Sequence, residues 1–157
     1  MSSESYEKNV EWERKIQQKL NKIYVDVLGL DVISRKGERR FDLTVRDQKT
    51  LQSYTLEEKI IKNVYPLLSV ELIQDLKTGS LGWIYTESPD LFHWVMCQEE
   101  EPKIIYQVSF VSFKKWYLEN AKHFYPDTFR VEPDGWGLTL HHLIHPAYIP
   151  ELKTYHL

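Results

Sequence analysis

The sequence predicts an α/β (α+β) fold in which helices flank a central sheet, and three observations support this prediction. Apolar residues recur at helical spacing across residues 6–27, with charged residues between them, which is typical of an amphipathic helix. Two strand-like runs, 39–45 and 54–60, are separated by a polar turn, as in a β-hairpin. A further strand over 103–108 leads into an amphipathic helix over 109–121, and this succession suits an α/β layer.

Length and composition indicate one globular domain. The 157 residues, 42% of them hydrophobic, are enough to bury a substantial core, so we expect a single domain over residues 1–157. The N-terminus lacks a signal-peptide pattern, no apolar run approaches the roughly 18 residues of a membrane helix, and Cys97 is the single cysteine. We therefore expect a cytoplasmic protein without a membrane partner. The net charge of −3 argues against a protein whose main task is to coat nucleic acid.

The rest of the chain is predicted to add short strands. The first helix is expected to end at Gly29, since glycine is the usual residue where a helix turns out through a left-handed conformation. Further strands are predicted at residues 31–34, 67–75, 91–97, 129–131 and 138–140, followed by an extended C-terminal segment.

The hairpin carries acids and a lysine in a pattern suited to metal-ion chemistry. Asp42 lies in the first run, and Glu57, Glu58 and Lys59 lie in the second. Because side chains alternate between the two faces of a strand, Glu57 and Lys59 point the same way, about 7 Å apart, beside Asp42 if the two runs pair. Carboxylates bind hard divalent ions through oxygen, and a lysine can orient an attacking water or stabilise charge on a phosphate.

This pattern resembles the PD-(D/E)XK nuclease superfamily, whose signature is an acid at the end of one strand and an acid-x-Lys on the next. The match is Asp42, a spacer of 14 residues, and Glu57-Glu58-Lys59. The stretch from Gly82-Trp83 to the aromatic strand 91–97 is similar to the same part of small phage and bacterial members. The resemblance implies the restriction-endonuclease-like fold, a mixed central sheet flanked by helices. It also implies Mg²⁺- or Mn²⁺-dependent hydrolysis of phosphodiester bonds in DNA, by an enzyme of endonuclease or resolvase type.

The resemblance assigns a role to each matched residue. Asp42, Glu57 and Lys59 are the implied catalytic residues, with Lys59 orienting the attacking water. Asp42 and Glu57 are the implied metal ligands together with the Glu58 position, through its backbone carbonyl. Two positions depart from the pattern: Phe41 replaces the name-giving proline, and Glu58 occupies a position that is normally apolar. The sequence therefore leaves open whether Glu57 or Glu58 faces the site.

Two further acids are second-tier candidates. Glu13 lies on the apolar stripe of the first helix, where it is either a boundary residue that reaches solvent or a third carboxylate aimed at the metal site. Glu71 interrupts a buried-looking strand, and a carboxylate there needs a partner or a metal ion to offset its desolvation. A salt bridge or an edge position would explain Glu71 equally well.

Basic and aromatic residues near the hairpin have a structural and a functional interpretation. Arg39 and Arg40 precede Asp42 and suit substrate binding, because the planar guanidinium matches phosphate, but a solvated loop also explains them. Trp83 and Tyr85 either stack on a nucleotide or pack in the core. His141, His142 and His145 have spacing that invites a metal site, but with no cysteines nearby we interpret them as solvated or hydrogen-bonded.

Two rival functions stay open. In the first, the same fold is a catalytically inactive module that binds nucleic acid or protein, and the acids and lysine form an ordinary salt bridge. In the second, a phage or mobile-element accessory protein binds another protein through an aromatic surface. The 13% aromatic content is compatible with such an exposed patch. DNA is the partner expected for the enzyme, and a homodimer is the assembly considered.

Overall fold

The structure, a computed structural model, describes residues 3–36, 41–121, 128–133 and 137–157. Within these residues it is a mixed α+β arrangement with a multistranded sheet and helices, as predicted. The α-helices are α1 (Ser3–Ile23), α2 (Trp83–Thr86) and α3 (Phe110–Trp116). The strands are β1 (Leu30–Ser34), β2 (Leu43–Asp47), β3 (Ser53–Ile61), β4 (Leu68–Asp75), β5 (Ser80–Leu81), β6 (Leu91–Gln98), β7 (Glu101–Ser109), β8 (Phe129–Pro133), β9 (Leu138–Ile144) and β10 (Lys153–His156).

The main sheet has six strands in the order β1-β2-β3-β6-β7-β10. Its strands β3 and β6 run parallel, and its other pairings are antiparallel. A parallel pair needs a long crossover connection, which here consists of β4, β5 and α2. The sheet is therefore mixed, and the residues that follow the hairpin strand β3 leave the sheet before the chain returns to it.

A second sheet has four strands in the order β5-β4-β9-β8. An aromatic core fills the space between this sheet, α3 and one face of the main sheet. In that core Trp83 stacks on Phe92, with ring centroids 4.2 Å apart, and Phe92 lies edge-on to Trp94 at 4.6 Å. Trp83 is buried and the partly buried Tyr85 packs against the same core, which agrees with a packing role for both residues.

Helix α1 packs on the other face of the main sheet. Its buried residues Ile16 and Leu20, with Tyr24 just beyond its end, contact the inner residues of β2 and β3. A single π-helical turn, Tyr24–Leu28, continues the helix, and Gly29 ends it with φ 68°. The predicted helix end is confirmed at the residue that tolerates this conformation best. No helix among the described residues is long and apolar enough to cross a membrane.

The predicted hairpin is formed by β2 and β3. Leu43 pairs with Leu56 and Arg46 with Ser53 in antiparallel register. Asp47 fixes the turn, because its Oδ1 accepts hydrogen bonds from the backbone N–H groups of Lys49 and Thr50. These contacts set the register that decides which side chains face the site.

Candidate functional site

Asp42 lies where the hairpin opens. It directly precedes β2, and since Leu43 pairs with Leu56, Asp42 lies beside the continuing part of β3. Its backbone N–H donates to the Leu56 carbonyl at 3.0 Å, and its Oδ2 accepts from the Glu58 N–H at 3.0 Å. The Asp42 carboxylate is thus held against β3 by the backbone of the strand that carries the other candidate residues.

Glu57 and Lys59 share one face of β3, as the strand period predicts. Lys59 Nζ lies 3.9 Å from Glu57 Oε1. Both residues pair with buried aromatic residues of β6, Glu57 with Phe92 and Lys59 with Trp94. The Glu57 side chain is only 7% exposed, whereas the Lys59 side chain is 42% exposed. The acid is therefore enclosed, and the ammonium group beside it reaches solvent.

Glu58 points to the opposite face, towards α1. Its carboxylate is buried and accepts hydrogen bonds from the Tyr24 hydroxyl at 2.6 Å and from Arg35 Nη1 at 2.5 Å. The Tyr24 hydroxyl also lies 3.1 Å from Nδ1 of the buried His93. Glu57 is the acid on the Asp42 side, whereas both oxygens of the Glu58 side chain are hydrogen-bonded on the far side of the sheet. Only the Glu58 backbone is left on the Asp42 side.

Burial and crowding by negative charge raise the pKa of Glu57 to about 8. Desolvation is the largest cause, and the negative charge of Asp42 comes next. The Lys59 ammonium opposes both effects without cancelling them. Two carboxyl groups held together in a partly dry site favour either a proton or a cation between them.

This raised pKa predicts how stability depends on pH. Glu57 holds its proton up to about pH 8 in the folded chain but releases it near its ordinary value of 4.5 when unfolded. Its contribution to stability is thus complete below that ordinary value and is lost as the pH rises towards 8. Between pH 6 and pH 8.5 we expect the free energy of unfolding to fall by roughly 2–3 kcal/mol in urea titrations without divalent ions. Glu57→Gln, which mimics the protonated acid, should remove most of this fall, and an equal fall in that variant would contradict the assignment.

Three other acids lie around this group. Glu13 is exposed on α1, yet partial loss of hydration and the negative charge of Asp42 raise its pKa. Glu71 accepts a hydrogen bond from the Trp83 N–H at 3.3 Å, so it fixes the start of α2. Glu87 follows α2, and its pKa is raised by desolvation and by the charges of Asp42 and Glu71, against the lowering effect of Lys59.

Glu87 is the site residue that sequence reasoning misses. Its sequence signal is weak, because it is one acid in a polar loop that follows the aromatic stretch of α2. It reaches the site because Asp90 pins that loop to β3: Asp90 Oδ2 accepts from the Thr55 N–H at 2.8 Å, and the Asp90 N–H donates to the Thr55 carbonyl at 3.0 Å. The contacts that position Glu87 therefore join residues 35 positions apart.

His141, His142 and His145 make hydrogen bonds within the fold. His141 Nδ1 lies 2.7 Å from Ser69 Oγ, and His142 Nδ1 lies 2.9 Å from the Tyr117 hydroxyl. His145 Nδ1 accepts from the Ala147 N–H at 3.1 Å and caps a short 3₁₀ turn. These hydrogen bonds agree with the interpretation of the three histidines as hydrogen-bonded residues.

Over residues 3–36, 41–121, 128–133 and 137–157, no three His, Cys, Asp or Glu side chains converge to form a ready-made metal cage. The predicted substrate-binding residues Arg39 and Arg40 lie outside the described residues. What the structure brings together is the carboxylate pair Asp42 and Glu57 with Lys59, and Glu13, Glu71 and Glu87 around them.

The fold and the site define an α+β protein with a buried carboxylate and a lysine on one face of a mixed sheet. Comparison with models of known protein families gives no match, and comparison with curated proteins gives none either.

Proposed function

We propose that this protein is a metal-dependent nuclease of endonuclease or resolvase type, which hydrolyses phosphodiester bonds in DNA. The observation that carries the proposal is the meeting of Asp42, Glu57 and Lys59 at the opening of the hairpin. Glu57 is buried there beside a second negative charge, which is an unfavourable arrangement unless a cation offsets it. A buried carboxyl group with a strongly shifted pKa is typical of a functional site, and in its charged form it does not stabilise the fold.

The order of elements supports the restriction-endonuclease-like fold within this proposal. An N-terminal helix precedes a hairpin, and the hairpin strand β3 then pairs in parallel with β6 in a mixed sheet. The acid precedes β2, and the acid-x-Lys lies on β3, in the arrangement that the PD-(D/E)XK resemblance implies. This order of elements supports the proposal in addition to the three matched residues.

The donor set fits Mg²⁺ or Mn²⁺. Magnesium is commonly bound by one or two carboxylates, with water molecules and substrate phosphate completing its shell, so a three-residue cage is not required. Asp42 and Glu57 would supply the carboxylates. The Glu58 carbonyl would join them, because N–H and C=O of one strand residue point to the same side and the Glu58 N–H faces Asp42. The bound ion would supply Lewis-acid stabilisation of phosphate charge and a water of lowered pKa.

The remaining residues have separable tasks. Lys59 carries its positive charge on the face of Glu57 with its end open to solvent, where it can orient a water molecule and stabilise a phosphate oxygen. Glu58, by contrast, anchors β3 to α1 through Tyr24 and Arg35. Because side chains alternate along β3, one face carries the proposed catalytic groups and the other face anchors the strand to α1. Substitutions on the first face should affect activity, and substitutions on the second should affect stability.

A calorimetric titration with Mn²⁺ tests the metal assignment. Asp42→Asn keeps an acceptor for the Glu58 N–H but loses the charge, so we expect affinity to fall more than about tenfold. Glu57→Gln should act similarly. The matched control is Asp31→Asn, which alters a partly exposed acid of β1 that pairs with Arg46, and it should leave binding unchanged. Unchanged Mn²⁺ affinity in Asp42→Asn would remove the basis of the proposal.

One observation favours the rival in which the same fold is an inactive binding module. Lys59 already contacts Glu57 at 3.9 Å, as in an ordinary salt bridge, and the described residues form no three-ligand group. In that case a well-folded native chain would bind no Mn²⁺ and would cleave no DNA. The titration therefore separates the two functions before any substrate is known.

A further inference from the structure

A cavity of about 400 Å³ lies between the end of β3 and the second sheet. Its walls are mostly apolar, and its polar groups come from Ser69, Glu132 and the Tyr65 hydroxyl; the full lining is Ile61, Tyr65, Pro66, Leu67, Ser69, Glu132 and Leu143. This volume is within the range of small-molecule sites. None of Asp42, Glu57 or Lys59 lines the cavity, so it is separate from the acid cluster.

The cavity is nevertheless next to that cluster on the same face of β3. Ile61 follows Lys59 by two residues, so the two side chains point the same way about 7 Å apart along the strand. Tyr65 forms one wall and is 51% exposed, which leaves its ring accessible to a flat ligand. A strand whose phosphate lies at Lys59 could therefore place a neighbouring base against Tyr65.

Two polar side chains of the cavity, Ser69 and Glu132, accept hydrogen bonds and do not donate them. The single proton of the Thr139 hydroxyl is donated to the Glu132 carbonyl at 3.1 Å, so the 2.9 Å contact between Thr139 Oγ1 and His141 Nε2 uses the histidine proton. In the neutral ring Nδ1 then accepts, and Ser69 must give its own proton to it at 2.7 Å. Ser69 is left with acceptor lone pairs, and the Glu132 carboxylate is an acceptor as well.

We propose that this cavity binds an unstacked nucleobase that presents N–H donors, guanine above all, next to the phosphate held at the acid cluster. Guanine offers adjacent N1–H and N2–H donors to a carboxylate, whereas thymine offers one N–H between two carbonyl groups. Tyr65 supplies the stacking surface and Glu132 the selectivity. The inference rests on the proposed nuclease function, and it narrows the substrate to DNA with an unpaired or extrudable base beside the scissile phosphate.

The test is equilibrium binding of a fluorescein-labelled hexathymidine and of the same strand with one central guanine. Ca²⁺ replaces Mg²⁺, and electrophoresis checks that the strands stay intact. We expect the native chain to prefer the guanine strand about tenfold. Glu132→Gln should abolish the preference, because an amide can also donate to thymine, and a merely structural role of Glu132 would not change base choice. Tyr65→Ala should weaken binding of both strands at least fivefold, while Tyr6→Ala, an equally exposed tyrosine on α1, should have no effect.

The outcomes separate this inference from the nuclease proposal. Equal binding of the two strands by the native chain overturns the base cavity, whether or not the protein cleaves DNA. A guanine preference that disappears in Glu132→Gln upholds the cavity even if no metal-dependent cleavage is found. A preference that survives in Glu132→Gln also overturns the assignment, since another surface would then be reading the base.

Discussion

Replacing Arg35 with methionine is expected to reduce the free energy of unfolding by roughly 3–5 kcal/mol. The Arg35 guanidinium binds the buried Glu58 carboxylate at 2.5 Å, and it also donates to Asn21 Oδ1 at 2.6 Å and to the Gln17 carbonyl at 3.3 Å. Methionine fills similar space but leaves the Glu58 charge buried with Tyr24 as its remaining partner among these contacts. Urea titration of the two proteins at neutral pH measures the difference.

Two further variants test whether the loss in Arg35→Met comes from the buried Glu58 charge. Arg46→Met removes a surface ion pair with Asp31 at 3.8 Å, whose side chains are 46% and 39% exposed, and it should change stability by less than about 1 kcal/mol. Adding Glu58→Gln to Arg35→Met should recover part of the loss, since the uncompensated charge is then gone. Similar losses in Arg35→Met and Arg46→Met would show that burial of Glu58 is unimportant.

Gly82→Ala is expected to destabilise the fold by about 3 kcal/mol, at the upper end for overpacking. A Cβ at Gly82 would lie 2.5 Å from the carbonyl carbon of Glu71 and closer still to its carbonyl oxygen. Those atoms belong to β4, which β9 holds on its other side, so neither segment can move apart freely. The same shift would disturb the start of α2, and thermal unfolding followed by circular dichroism gives the loss.

The matched control is Gly79→Ala. Gly79 has φ 73°, and a Cβ at this position would meet open space, so alanine there encounters backbone strain but no clash. Its expected loss is only about 1 kcal/mol. Gly82 has an ordinary φ of −76°, so a larger loss at Gly82 isolates close approach from conformational freedom. A larger loss in Gly79→Ala than in Gly82→Ala would contradict the close approach of Gly82 to β4.

Local patterns predict the elements near the site but not how distant elements assemble. The helical period of α1 and the turn after β2 depend on residues that are close together in the sequence, and both predictions are confirmed. Strand β4 is also found where its apolar run predicts it, but it belongs to a second sheet because it pairs with β9, about 70 residues later. A run of apolar residues carries no information about which strand it will pair with.

The same distinction applies to the candidate site. The two-residue period of β3 predicts that Glu57 and Lys59 share a face, and they do. It cannot decide between Glu57 and Glu58, because that choice depends on Tyr24 and Arg35, whose contacts with Glu58 span 34 and 23 residues. Glu87 lies at the site because hydrogen bonds between Asp90 and Thr55 hold its loop against β3. Local sequence patterns do not predict such a long-range contact.

Asp42, Glu57 and Lys59 are proposed to perform metal-dependent hydrolysis. The most direct test of this proposal is nicking of supercoiled plasmid DNA with Mg²⁺ or Mn²⁺ by the native chain, by Lys59→Ala and by Lys62→Ala, an exposed lysine that contacts Asn9 instead. We predict metal-dependent nicking that Lys59→Ala reduces by about 10²–10³-fold and that Lys62→Ala retains. A folded native chain that cuts no DNA with either metal, or nicking that persists in Lys59→Ala, would contradict the proposal.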